Sequence, residues 1–233
     1  MTSSLDDPHE RHARAAARAG LTFHHLDPGE DSLRAGLPEW ERLARAFLGA
    51  SDLDTETHLR LEDDLRIVEE LRRVLAGDEP GEGTDREREL CVVRGGGRMQ
   101  GVCSLFECPG GVFLELLATA PWNLVRGSHG RDLRAFPGVG KALLARAAEL
   151  SELNGHGGRI ALQAENPRCL ELYVRLGFTL MQPEDEPLAL VPRGERGWSA
   201  SLLRVAAGKP GAEEARSPWL VLDPARAATL ARR

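Results

Sequence analysis

A chain of 233 residues, 42% hydrophobic and 28% charged, has the length for one domain with appendages and the balance of an ordinary globular protein. Its formal charge of -6 argues against nucleic acid as a general partner and mildly favours a cationic one, such as an amine. No apolar run approaches the ~20 residues of a membrane span, and residues 1–20 lack the apolar centre of a secretory signal. The expected location is therefore the cytoplasm, with no membrane partner.

Residues 1–20 are polar and rich in Ala and Arg, a flexible lead. LTFHHLDP (21–28) reads as a first strand. LPEWERLARAFLG (37–49) and TETHLRLEDDLRIVEELRRVLAG (55–77) carry apolar residues at helical spacing, the second on a broad stripe from Leu59 to Val74. After a charged loop at 79–89, ELCVVRGGG, RMQGVCSLFECPGG and VFLELLATAP read as three strands joined by glycine turns, hence antiparallel. A long segment, WNLVRGSHGRDLRAFP (122–137), leads to a helix from about Gly138 to Leu153, its apolar side marked by Val139, Ala142, Leu143, Ala147, Leu150 and Leu153. GGRIALQAE (157–165) is a strand parallel to its predecessor, because a helix joins them. NPRCLELYVRLGF (166–178) is a punctuated helix: Asn166 suits the N-cap, Pro167 the first turn and Gly177 the left-handed stop. FTLMQP and WSASLLRVAAG read as closing strands. The end (207–233) reads as an extension with a linker, a strand at 219–222 and a basic helix. That strand can pair with an edge in the same chain or in a second copy, which leaves a homodimer open. The fold class expected is α/β, a mixed sheet flanked by helices, spanning 21–206.

Gly138 and Gly140 open a helix. The first N–H groups of a helix lack intrahelical partners, and the dipole adds positive potential, so an anion is a natural guest. Arg134 lies close enough to add a charge-assisted bond. A turn packed for its own sake fits the glycines alone equally well. A dinucleotide G-x-G-x-x-G fails at Leu143, and the spacing of a P-loop is absent around Lys141. A coenzyme A pyrophosphate site is the remaining alternative. Elsewhere, Glu115 is a lone carboxylate on an apolar strand, a candidate base or an arginine partner. Cys91, Cys103, Cys108 and Cys169 form no C-x-x-C pair and have no histidine at ligand spacing, so free thiols and no metal are expected.

Three segments in order resemble the GNAT superfamily of N-acetyltransferases. LLATAP (116–121) is similar to its central strand ending in Leu-x-Val-x-Pro. GVGKALL (138–144) is similar to its pyrophosphate loop, and NPRCLELYVRLGF to its Asn-x-x-Ala-x-x-x-Tyr-x-x-x-Gly-Phe helix. The close match covers about 112–180. Thr119 stands for the family's valine, Cys169 for its alanine and Ala135 for its Gln or Arg, and the segment before Gly138 is about ten residues longer than usual. The resemblance implies acetyl-CoA as donor substrate and direct transfer of acetyl to a primary amine. It implies that backbone N–H groups of Val139, Gly140, Lys141 and Ala142 cradle the pyrophosphate. It implies that Leu117, Ala118 and Thr119 pair with the pantetheine arm, the Thr119 amide steadying the thioester oxyanion. Tyr173, the only tyrosine, takes the general-acid position: a phenol of pKa ~10 can protonate a departing thiolate of pKa ~8.5. Asn166 is placed on the cofactor side as well as at the cap. A CoA-binding module with degraded catalysis is the alternative.

Overall fold

The computed structural model describes residues 20–26, 31–50, 53–76, 88–125, 135–164, 166–182, 185 and 218–230. In chain order they form β1 (Thr22–Leu26), α1 (Asp31–Leu48), α2 (Thr55–Ala76), β2 (Arg88–Gly95), β3 (Arg98–Cys108) and β4 (Gly111–Thr119). A 3-10 turn (Pro121–Asn123), α3 (Val139–Leu153), β5 (Ile160–Gln163), α4 (Pro167–Leu176), β6 (Thr179–Leu180), β7 (Trp219–Leu222) and α5 (Pro224–Leu230) follow. The strand read at 198–208 and the lead at 1–19 lie outside the described residues.

The strands make one mixed sheet in the order β1-β2-β3-β4-β5-β7-β6. β1 to β4 are successively antiparallel, and β5 runs parallel to β4 across the α3 connection. Trp219–Leu222 pairs within the chain, antiparallel to β5 on one side and to β6 on the other. All four of its residues are buried.

Two of the helix readings shift. α1 begins at Asp31, before Gly36 and Pro38, because Leu33, Leu37 and Trp40 continue the i, i+4, i+7 stripe and are 0%, 0% and 1% exposed. Burial of that stripe overrides the two local breakers. On α2 only Leu61, Val68 and Leu71 are buried, whereas Leu59 is exposed. Asp54 caps this helix: its Oδ1 accepts from the Thr57 N–H (2.8 Å) and its Oδ2 from the Thr57 hydroxyl (2.7 Å). Those donors hold its carboxyl below the usual aspartate value.

The sheet separates two cores. One face packs on α3 through Cys103, Leu105, Leu114, Val139, Leu143 and Ala147, and the other packs on α1 and α2 through Trp40, Val68, Val92, Val102 and Ala118. α3 is buried from Leu143 to Ser151 without interruption, more than one apolar side predicts, whereas Leu153 at its end is exposed. Gly101 on β3 sets how closely α3 approaches. A Cβ there would lie 2.5 Å from Val139 Cγ1 and 2.9 Å from Leu143 Cδ1. We expect Gly101→Ala to cost about 1–3 kcal/mol by overpacking. Urea denaturation measures this, and a variant as stable as the parent would show that α3 moves away freely.

Candidate active site

The end of β4 is the centre of the site, and its sequence explains its shape. Ser104 pairs with Leu116 but Leu105 pairs with Leu114, so Glu115 is an extra residue, a β-bulge. The bulge switches the faces of the strand. Before it, Val112 and Leu114 face the α3 core; after it, Leu117 faces that core while Leu116 and Ala118 face α1 and α2. Pairing with β5 is confined to Val112–Leu114 against Ile160–Leu162. Among the described residues, no strand therefore lies beside Glu115 to Thr119 on the side away from β3. A parallel sheet opened in this way offers unpaired main-chain groups to an extended ligand.

The first turn of α3 stands at the same corner. Gly138 is its N-cap, at φ 80 and ψ 11, a left-handed conformation that glycine adopts without strain. A Cβ on Gly138 would meet nothing within 4 Å among the described residues. A Cβ on Gly140 would lie 3.9 Å from Leu117 Cδ2 and 4.0 Å from Thr119 Cγ2, so the helix start and the open strand edge adjoin. The Ala142 N–H donates to the Gly138 carbonyl at 2.9 Å. It is the first closed bond of the helix, so the first-turn N–H groups that precede it are those of Val139, Gly140 and Lys141. Arg134 lies outside the described residues.

The approach to this turn is fixed by a polar clasp. Gln100, buried at 1%, is itself a bulge residue between β2 and β3. Its Nε2 donates to the Gly95 carbonyl (2.8 Å), and its Oε1 accepts from Trp122 Nε1 (2.9 Å). Asn123 Nδ2 donates to the Gln100 carbonyl (3.1 Å), and Asn123 Oδ1 accepts the Phe136 N–H (2.8 Å). Phe136 is buried in the α3-side core. The two ends of the long segment before Gly138 are thus joined. Trp122 is buried edge-on against Trp40 (6.2 Å, 86°).

α4 packs beside the α3-side core and is tied to α2 at its first turn. Asn166 caps it, its Oδ1 accepting from the Cys169 N–H at 3.0 Å, and its Nδ2 donates to Asp63 Oδ2 at 2.8 Å. Both ends of that side chain are engaged inside the protein. Tyr173 is partly buried beside the α3 core, as are Leu117, Ala142, Cys169 and Leu170. Its ring lies 5.5 Å from that of Phe178. Glu115 Oε2 accepts from the Ser104 hydroxyl at 2.9 Å. Cys91, Cys103 and Cys108 are buried free thiols, and Cys169 is a half-buried one.

The structure adds a residue that the sequence reading passes over. Asp64, half-buried on α2, reaches the end of the open edge. Its Oδ2 accepts from the Thr119 N–H (3.2 Å) and from Thr119 Oγ1 (3.0 Å). The amide expected to steady an oxyanion is therefore held by a carboxylate. Burial pushes the Asp64 carboxyl up from 3.8 to about 6, against the pull of the Thr119 donors and Arg60. The folded state binds this proton more tightly than the unfolded chain does. Its contribution to stability is complete below about pH 4 and is lost as pH rises through about 6.

No family model matches the chain, and no curated protein matches it. Among the described residues, no helix is long and apolar enough to cross a membrane. Solved structures similar to the chain include the PaiA N-acetyltransferase of Thermoplasma acidophilum in complex with coenzyme A. That protein is 15% identical with a TM-score of 0.40, over 69% of this chain and 91% of that one. A Desulfovibrio desulfuricans protein named for an acetyltransferase of the GNAT family is 16% identical with a TM-score of 0.42, over 88% and 99%. An aminoglycoside 6'-acetyltransferase type Ii is 15% identical with a TM-score of 0.43, over 87% and 97%. At these identities and TM-scores each is a likeness and no more.

Proposed function

We propose that the protein is an acyltransferase of the GNAT type that takes acetyl from acetyl-CoA and passes it directly to a primary amine. The observation that carries this is the shared corner of the α3 first turn and the open edge of β4, which meet at Gly140, Leu117 and Thr119. One feature suits a pyrophosphate and the other suits the amide-bearing arm attached to it, and a single ligand with both parts is coenzyme A. Within this reading Tyr173 returns a proton to the departing thiolate. Isothermal titration with acetyl-CoA tests the donor, and micromolar binding is the expected result. Absence of heat would remove the proposal.

Tyr173→Phe is expected to lower turnover at least ~10-fold while changing acetyl-CoA affinity less than ~3-fold, since only the transferable proton is lost. Stopped-assay CoA release beside calorimetry separates the two. Unchanged turnover would leave Tyr173 as a packing residue of Phe178. The engagement of the Thr119 amide by Asp64 favours a second reading, a CoA-binding module without turnover. Binding of acetyl-CoA with no release of CoA in the presence of amines would select it.

A further inference from the structure

We propose that Asp64, rather than Glu115, takes the proton from the acceptor amine; this rests on the acyltransferase reading above. The two carboxylates differ in what holds them. Glu115 sits in the bulge, bound to the Ser104 hydroxyl of the neighbouring strand. Asp64 comes from a helix that crosses the sheet face, and both hydrogen bonds it receives fall on one oxygen, Oδ2. Its Oδ1 has no hydrogen-bond partner among the described residues. A carboxylate anchored through one oxygen presents the other in a fixed direction, the arrangement a base needs.

The anchor also fixes the place. Thr119 ends the open edge and adjoins the α3 turn through Gly140. A thioester carbonyl lying along that edge takes the Thr119 amide, and Asp64 keeps the Thr119 hydroxyl. The carboxylate then stands beside the reacting carbon. The charged groups that act on it are Arg60 and Asp63 on its own helix, and Asp63 is in turn bonded to Arg168 of α4 (2.6 Å). Its titration near 6 leaves it ionised at neutral pH yet more basic than an exposed aspartate.

The step balances as follows. Asp64 Oδ1 takes one proton from the ammonium R–NH3+ and later yields it to water. The freed nitrogen lone pair attacks the thioester carbon; the N–C bond forms and the C–S bond breaks, its electron pair leaving on sulphur. The nitrogen sheds a second proton, which makes up for the one Tyr173 gives to the thiolate. The net products are the amide, CoA thiol and one proton. A base that is an anchored anion further selects acceptors that arrive as cations.

The test compares the full chain with Asp64→Asn and Glu115→Gln. Acetyl-CoA affinity is read by calorimetry, and CoA release is followed from pH 5 to 9 with ethylenediamine, lysine amide and an aminoglycoside as amines. Asp64→Asn is expected to lose at least ~100-fold in kcat and the acid limb of the profile, with acetyl-CoA affinity within ~3-fold. Glu115→Gln is expected to keep both within ~5-fold. Thr119→Val, which removes the anchoring hydroxyl, is expected to lower kcat and move the limb without abolishing it. An Asp64→Asn enzyme with the parent's rate and limb would overturn the assignment while leaving the acyltransferase standing. A parent that binds no acetyl-CoA, or binds it and turns over none of the amines, would overturn the assignment together with the reading beneath it.

Discussion

Gly138→Glu is expected to weaken acetyl-CoA binding at least ~100-fold, close to 3 kcal/mol. The position is unusually clean for such a test. Among the described residues nothing lies within 4 Å of an added Cβ, so the substitution does not disturb the core they form. What it adds is an anion at the positive end of α3, where the first-turn N–H groups gather. Any L residue at φ 80 also costs about 1–2 kcal/mol of backbone strain. Gly138→Asn separates the two effects, because Asn tolerates the left-handed region and brings no charge. Calorimetry is expected to find Asn within about 5-fold of the parent at that neutral position, and Glu far weaker. Equal affinity of all three proteins, with intact far-ultraviolet spectra, would mean that the glycines merely shape a turn.

The second large effect concerns stability. Arg146 and Glu149, one turn apart on α3, face each other at 2.6 Å with side chains only 7% and 1% exposed. Arg146 Nε finds no acceptor among the described residues. Removing Glu149 leaves a guanidinium buried without its anion, a change that typically costs about 3–5 kcal/mol. For a domain whose total stability is on the order of 5–15 kcal/mol, that is roughly a fifth or more. Glu149→Leu is therefore expected to lower the Tm by about 10 °C, at roughly 2–4 °C per kcal/mol for a chain of this size. The double variant Arg146→Met, Glu149→Leu is expected to return to within about 1 kcal/mol of the parent, because the desolvation cost disappears with the pair. Thermal and urea unfolding of the three proteins measure this. A Glu149→Leu protein as stable as its parent would show that the arginine reaches solvent once released.

What is legible in the chain is what local chemistry determines. The cap and stop of α4 are read correctly from Asn166 and Gly177, since each residue bonds within its own turn: Asn166 to Cys169, and Gly177 at φ 102. The antiparallel strands follow from their short glycine turns, and the parallel β4–β5 pair from the intervening helix. The bulge at Glu115 is hidden, because the strand is apolar on both sides of that residue and a change of face leaves no trace in an unalternating run. Asp64 escapes for another reason. The run Glu62-Asp63-Asp64 resembles a solvated helix face, and its partner Thr119 is 55 positions away. A signal was nevertheless present: Asp64 lies three residues after Leu61 and four before Val68, on the buried stripe of α2. A carboxylate at such a position must find donors somewhere in the interior.

The clasp of Gln100, Asn123 and Phe136 bears on how this scaffold can be remodelled. It ties Asn123 to Gln100 and to Phe136, which stands two residues before the glycine cap. The entry to α3 is thereby set by contacts at those two points. Segments of other lengths can be joined at those two points, with Asn123 and Phe136 retained, without remaking the hydrogen bonds that set the entry to α3.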